Sequence, residues 1–125
     1  MAKRKVTNLT DVSEITCVIQ KGKADDIVQS LLDAGIQGAT VHSGVGTGIR
    51  ERMGLLGVAV EVEREIVQVL VSKEQVDRIF ERIYLAGRLD TPGMGYMYVA
   101  PLVQAATYIP AHLLEDKDSI SSMGM

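Results

Sequence analysis

Two segments with helical spacing of apolar residues, each running into a glycine, are embedded among segments that alternate with period two, and this order constrains the fold more than any other feature. Residues 14–20 alternate, with Ile15, Cys17 and Ile19 on one side and Thr16, Val18 and Gln20 on the other, which predicts a first strand. Over 24–34, Ile27, Val28, Leu31 and Leu32 form a helical stripe, and Asp25 and Asp26 fall in the first turn, where carboxylates suit the helix dipole. Gly35 closes that helix. A short second strand is predicted over 38–43 around Val41. A long third strand starts with Val58, Val60 and Val62 against Ala59, Glu61 and Glu63, and becomes apolar on both sides through Ile66, Val67, Val69, Leu70 and Val71. Ser72 with Gln75 reads as a capping box opening a helix over 73–86, with Val76, Ile79, Phe80 and Ile83 inward and Gly87 at its end. Residues 96–100 predict a fourth strand interrupted by Pro101, and 105–109 a short edge strand.

Strand, helix, strand, strand, helix, strand is an α+β order, and it predicts a ferredoxin-like βαββαβ fold with one antiparallel sheet and two helices on one face. A chain of 125 residues accommodates one domain, expected over 13–112, with flexible polar tails over 1–12 and 113–125. Its core must come from Val, Ile, Leu and Ala, because the chain has Phe 1, Tyr 4 and Trp 0. So aliphatic a core is marginal alone, which points to oligomerisation.

A net charge of -3 provides no general attraction to nucleic acid, and Lys3, Arg4 and Lys5 read as a solubilising tail. No apolar run reaches the roughly 20 residues of a spanning helix, so no membrane insertion is expected. The single cysteine, Cys17, reads as core packing, and with no signal-peptide pattern at the start a cytoplasmic location is expected. For catalysis the inventory is thin. His42 and His112 are distant in sequence, no HxH, CxxC or HExxH occurs, and no acid-base pair stands out, so the chain is read as no enzyme. His42 reads as a structural histidine, and Glu61, Glu63 and Glu65 at period two as a solvated face. The competing reading is a trimeric divalent-metal-binding protein of the cation-tolerance type that uses His42 and this glutamate row.

The glycine loops are the better lead. Residues 44–57, from Gly44 to Gly57, hold Gly46, Gly48 and Gly54, at spacings that match neither a dinucleotide fingerprint nor a phosphate loop. Arg50 and Arg52 there either grip an anion or are simply solvated. Leu55 and Leu56, near Met53 at the tip, are apolar residues in an exposed place and suggest a partner contact. A second loop over 88–95 has the same character, with Arg88, Gly93 and Gly95.

Taken together, the run Ala24-Asp25-Asp26-Ile27 through Leu31 to Gly35-Ile36-Gln37-Gly38-Ala39-Thr40-Val41, then Gly46-Thr47-Gly48, Gln68-Val69-Leu70-Val71 and Pro92-Gly93-Met94-Gly95-Tyr96-Met97-Tyr98-Val99, resembles the PII family of nitrogen-regulatory signal proteins. The resemblance spans about residues 15–109. It implies a homotrimer that binds an adenine nucleotide (ADP, AMP or ATP) in clefts between subunits and senses 2-oxoglutarate through magnesium. It also implies a long T-loop, here 44–57, that docks on a protein partner such as a transporter, enzyme or regulator. By position, Val18, Thr40, Gln68 and Leu70 would line the adenine pocket, and Gly93 and Gly95 would approach phosphate. The family's Asp and Lys in the second loop are Met94 and Tyr96 here, its two last-strand arginines are Thr107 and Ile109, and Arg50 replaces a magnesium-coordinating Gln.

Overall fold

The computed structural model describes residues 6–46 and 62–108. Its elements are β1 (Asn8–Leu9), β2 (Val12–Gln20), α1 (Ala24–Asp33), β3 (Thr40–Gly46), β4 (Val62–Ser72), a 3-10 turn (Lys73–Gln75), α2 (Val76–Ala86), β5 (Gly95–Pro101) and β6 (Ala105–Ala106). A four-stranded sheet has the order β3-β4-β2-β5, antiparallel throughout, with β2 and β4 central. This is the expected βαββαβ arrangement. Beside it, β1 pairs with β6, so Asn8 and Leu9, which fall in the expected N-terminal tail, form a small separate ribbon with Ala105 and Ala106.

Period two places Ile15, Cys17 and Ile19 of β2 and Val67, Val69 and Val71 of β4 on one face, where Ile27 and Leu31 of α1 and Ile79 and Ile83 of α2 cover them. None of these side chains is more than 3% exposed, and each contributes roughly 1.5–3 kcal/mol of transfer free energy. Burial also pushes the Cys17 thiol up to about 11, so it packs as a neutral group. Arg82 of α2 ties the two helices together, its Nε donating to the Ser30 carbonyl (3.0 Å) and to Ser30 Oγ (3.2 Å).

The helix ends show where local signals hold and where they fail. Gly35 takes a φ of 87°, its N–H donates to Leu32 O (3.0 Å), and the N–H of buried Ile36 donates to Leu31 O (2.9 Å), a full Schellman closure of α1. At α2 the same pair of bonds runs from Arg88 N–H to Leu85 O (3.2 Å) and from Leu89 N–H to Tyr84 O (3.1 Å). The residue in the left-handed conformation there is Arg88, at φ 53°, whereas Gly87 stays helical at φ -83°. The expectation that Gly87 closes the helix is therefore corrected. Gly87 is needed for packing, since a Cβ on it would lie 2.9 Å from Ile19 Cδ1. The Ser72–Gln75 capping box does not form either. The chain enters α2 through a tighter 3-10 turn that displaces the amides such a box would serve, and Ser72 Oγ and Gln75 Oε1 are buried without a partner.

Candidate functional site

The helices cover one face of the sheet, and the opposite face gathers the alternate residues of all four strands. In register across it run Thr40, Gln68, Thr16 and Tyr98 and, one row along, His42, Ile66, Val18 and Tyr96. Leu70 lies one row further, opposite Glu14. The four residues expected to line a pocket, Val18, Thr40, Gln68 and Leu70, thus share this open face, with Thr40 directly opposite Gln68. Thr16 is only 2% exposed even here, and its hydroxyl donates to Glu14 Oε1. Tyr96 and Tyr98, respectively 61% and 49% exposed, stack with ring centroids 6.4 Å apart. Sequence reasoning misses them as site residues, although two tyrosines at i, i+2 on a strand of an aromatic-poor chain are a readable signal.

One end of the sheet collects both glycine-bearing connections. The C-terminal ends of β2 and β3 and the N-terminal ends of β4 and β5 meet there, with Gln20 opposite Arg64 and Arg64 opposite Gly44. Gly44 and Gly46, expected in the loop, extend the β3 ladder, and Gly46 pairs with Val62. The remaining expected contacts of that loop, Gly48, Arg50, Arg52, Met53, Leu55 and Leu56, lie outside the described residues.

The 88–95 turn is well defined. Thr91 N–H donates to Arg88 O (2.9 Å) and Met94 N–H to Thr91 O (3.2 Å), and Gly93 has a φ of 79°. Gly95 has a φ of 153°, and a Cβ there would fall 2.1 Å from the Val18 carbonyl oxygen, so its first role is to let β5 approach β2. Gln20 grips this turn twice, its backbone N–H donating to Met94 O and its Nε2 to Gly93 O, both at 3.1 Å. Nothing local in the sequence marked Gln20 for this task. Arg88 is exposed beside the turn.

The glutamate row is not one solvated face. Glu65 is half-buried and its Oε1 accepts the N–H of Gly22 and that of Ala24 (3.2 Å), capping α1 from across the sheet. Exposed Glu63 pairs with Lys21 Nζ, which holds the Glu63 carboxyl below its usual range and the Lys21 ammonium above its own. His42 is exposed on the open face, whereas Glu63 and Glu65 alternate to the helix side of β4. His42 therefore does not converge with Glu63 and Glu65, Glu61 lies outside the described residues, and no group of three or more potential metal ligands occurs among the described residues.

This frame defines the class, a ferredoxin-like α+β domain with glycine-rich connections at one end of its sheet. Residues 12–110 match the family described as nitrogen regulatory protein P-II. The chain belongs to that family. Among curated relatives it is similar to the nitrogen regulatory protein P-II of Nostoc punctiforme, 29% identical over 98 residues that cover 74% of this chain and 88% of that protein. The corresponding protein of Cereibacter sphaeroides is 28% identical over 99 residues, covering 75% and 88%. Among solved structures, Arabidopsis thaliana PII bound to citrate superposes with a TM-score of 0.59 at 20% identity, covering 74% of this chain and 78% of that one. The chain is thus a PII-type regulatory signal protein, not an enzyme, and its metal-binding alternative is not favoured. Family members are typically trimeric and interact with partner proteins and small effectors. No helix among the described residues is long and apolar enough to cross a membrane.

Proposed function

We propose that this chain acts in the cytoplasm as a homotrimer that binds a small effector, an adenine nucleotide of low charge, in the clefts between subunits. The bound state then changes how the segment 44–57 meets a protein partner, through Met53, Leu55 and Leu56. The observation that carries this reading is that Val18, Thr40, Gln68 and Leu70 share one sheet face, with Val18 adjacent to the Ile19–Gly95 pair that follows the Gly93 turn. An effector shifts such a system only by preferring one of its conformations, and a glycine-bearing connection supplies the second conformation.

Low charge follows from the residues at hand. Where the family resemblance implies a lysine after the second-loop glycines, this chain has Tyr96, and Thr107 and Ile109 stand where it implies arginines. Each charge-assisted bond is worth roughly 1.5–3 kcal/mol, so a triphosphate loses more here than a monophosphate. Arg88, with Arg50 and Arg52 from the T-loop segment, supplies cations for a single phosphate.

A thermal-shift series with AMP, ADP, ATP with magnesium, 2-oxoglutarate, bicarbonate and divalent metals tests the proposal. Stabilisation by AMP or ADP exceeding that by ATP with magnesium is the expected result. Stronger stabilisation by ATP with magnesium overturns the charge argument, and no shift with any nucleotide overturns nucleotide binding altogether.

A further inference from the structure

The turn over residues 20–24 is held from both sides. On one side, the start of β4 grips it through Glu65, which accepts from Gly22 and Ala24, and through Glu63, which pairs with Lys21. On the other, Gln20 donates to the carbonyls of Gly93 and Met94. The turn is closed on itself by Lys23 N–H to Gln20 O (3.2 Å), and Gly22 takes a φ of 90°, in the left-handed region. No side chain of α1 caps its own N-terminus, so the Glu65 carboxylate is the group that fixes where the helix begins. β4 and the 88–95 turn thus hold the same short turn at different residues, β4 at Lys21, Gly22 and Ala24 and the 88–95 turn at Gln20.

We propose that Gln20 and Glu65 are positioning residues, and that the 20–24 turn couples the first residues of β4 to the glycine turn at Gly93–Gly95. A shift at the start of β4 that releases Glu65 frees Gly22 and Ala24, lets Gln20 move, and loosens the carbonyls of Gly93 and Met94. In the opposite direction, a ligand that orders the glycine turn fixes Gln20 and, through it, the start of β4. Gln20 does this with a donor at the end of a side chain that spans two strands. A residue without a donor there breaks the link while the backbone bond from Gln20 N–H to Met94 O can persist. The regulatory use of this link rests on the function proposed above, but its existence is measured on the unliganded chain, so a ligand screen that fails leaves it standing.

Amide hydrogen exchange resolved by NMR tests the link. Glu65→Ala raises exchange at Gly22 and Ala24 directly, and the coupling requires that it also raise exchange at Met94, about five-fold for the loss of one ordinary hydrogen bond's worth of protection. In a Gln20→Leu background the increment at Met94 disappears. Gln20→Lys, which restores a donor, returns it. Unchanged exchange at Met94 in Glu65→Ala overturns the proposal, as does an increment of equal size with Leu at position 20. A rise of the same factor at core amides such as Ile15 and Val69 also overturns it, because the effect is then global destabilisation. Should Glu65→Ala fail to fold, Glu65→Met, which keeps the length of the side chain but removes the acceptor, is read by the same criteria.

Discussion

Gly95 and Arg88 sit seven residues apart in the same turn-bearing segment and illustrate opposite relations between residue type and backbone. At Gly95 the backbone demands glycine, because a Cβ would meet Val18 O at 2.1 Å and Ile19 Cα at 2.9 Å. Gly95→Ala must push β5 off β2 and is expected to destabilise the chain by about 2 kcal/mol or more, seen as a lower denaturation midpoint in urea at unchanged slope. At Arg88 a φ of 53° would suit glycine, yet an arginine occupies it. Arg88→Gly is expected to stabilise the fold by up to about 1 kcal/mol in the same measurement, while weakening binding of any phosphate-bearing effector. The glycines could be picked out of the sequence, but their reasons could not. Gly35 announced a helix end correctly, whereas Gly87 looked identical and proved to be a packing glycine, because the neighbour that forbids its Cβ, Ile19, is distant along the chain.

At the scale of the element, the caps were the least legible part. A local motif, Ser72 with Gln75, suggested a cap that does not form, and the working cap on α1 comes from Glu65, 41 residues from Ala24 in sequence. Glu65→Ala removes an acceptor shared by two N–H groups at a half-buried helix start and is expected to cost about 1–2 kcal/mol in chemical denaturation. Lys21→Ala, which breaks an exposed ion pair, should leave the midpoint within experimental scatter. The Lys21–Glu63 pair does carry a pH dependence. The Lys21 ammonium and the hydrogen bond it makes lower the Glu63 pKa, so the pair's small contribution is present above the ordinary glutamate pKa and fades as pH falls through the depressed folded value. Lys21 is raised, chiefly by that same hydrogen bond, so its part is present below the ordinary lysine pKa and is lost as pH rises through the folded value. Between those limits, stability measured against pH should show no step that Lys21→Ala removes.

For the whole molecule, the order of periodicities was enough to give the topology, since only a sheet with two helices on one face buries both helical stripes and the shared face of β2 and β4. The open face was harder to read, because Val18, Ile66 and Leu70 alternate with Thr16, Gln68 and Glu14 and resemble an ordinary half-exposed surface in sequence. In the fold these residues lie side by side on central strands, all but buried Thr16 only half-buried, with Tyr96 and Tyr98 exposed at the margin. A face of this composition, on a domain whose core lacks aromatics apart from Phe80 at its edge, is where copies of the chain are expected to meet. Light scattering coupled to size exclusion should then return three times the 13.5 kDa chain mass. Ile66→Glu places a carboxylate in the middle of that face without entering the helix-side core, so it should yield a folded monomer with an unchanged far-ultraviolet spectrum. Effector binding should be lost with assembly, because a cleft between subunits cannot exist in a monomer. A trimer that survives Ile66→Glu would place the contact surface elsewhere, and a monomer that still binds nucleotide would place the whole site within one chain.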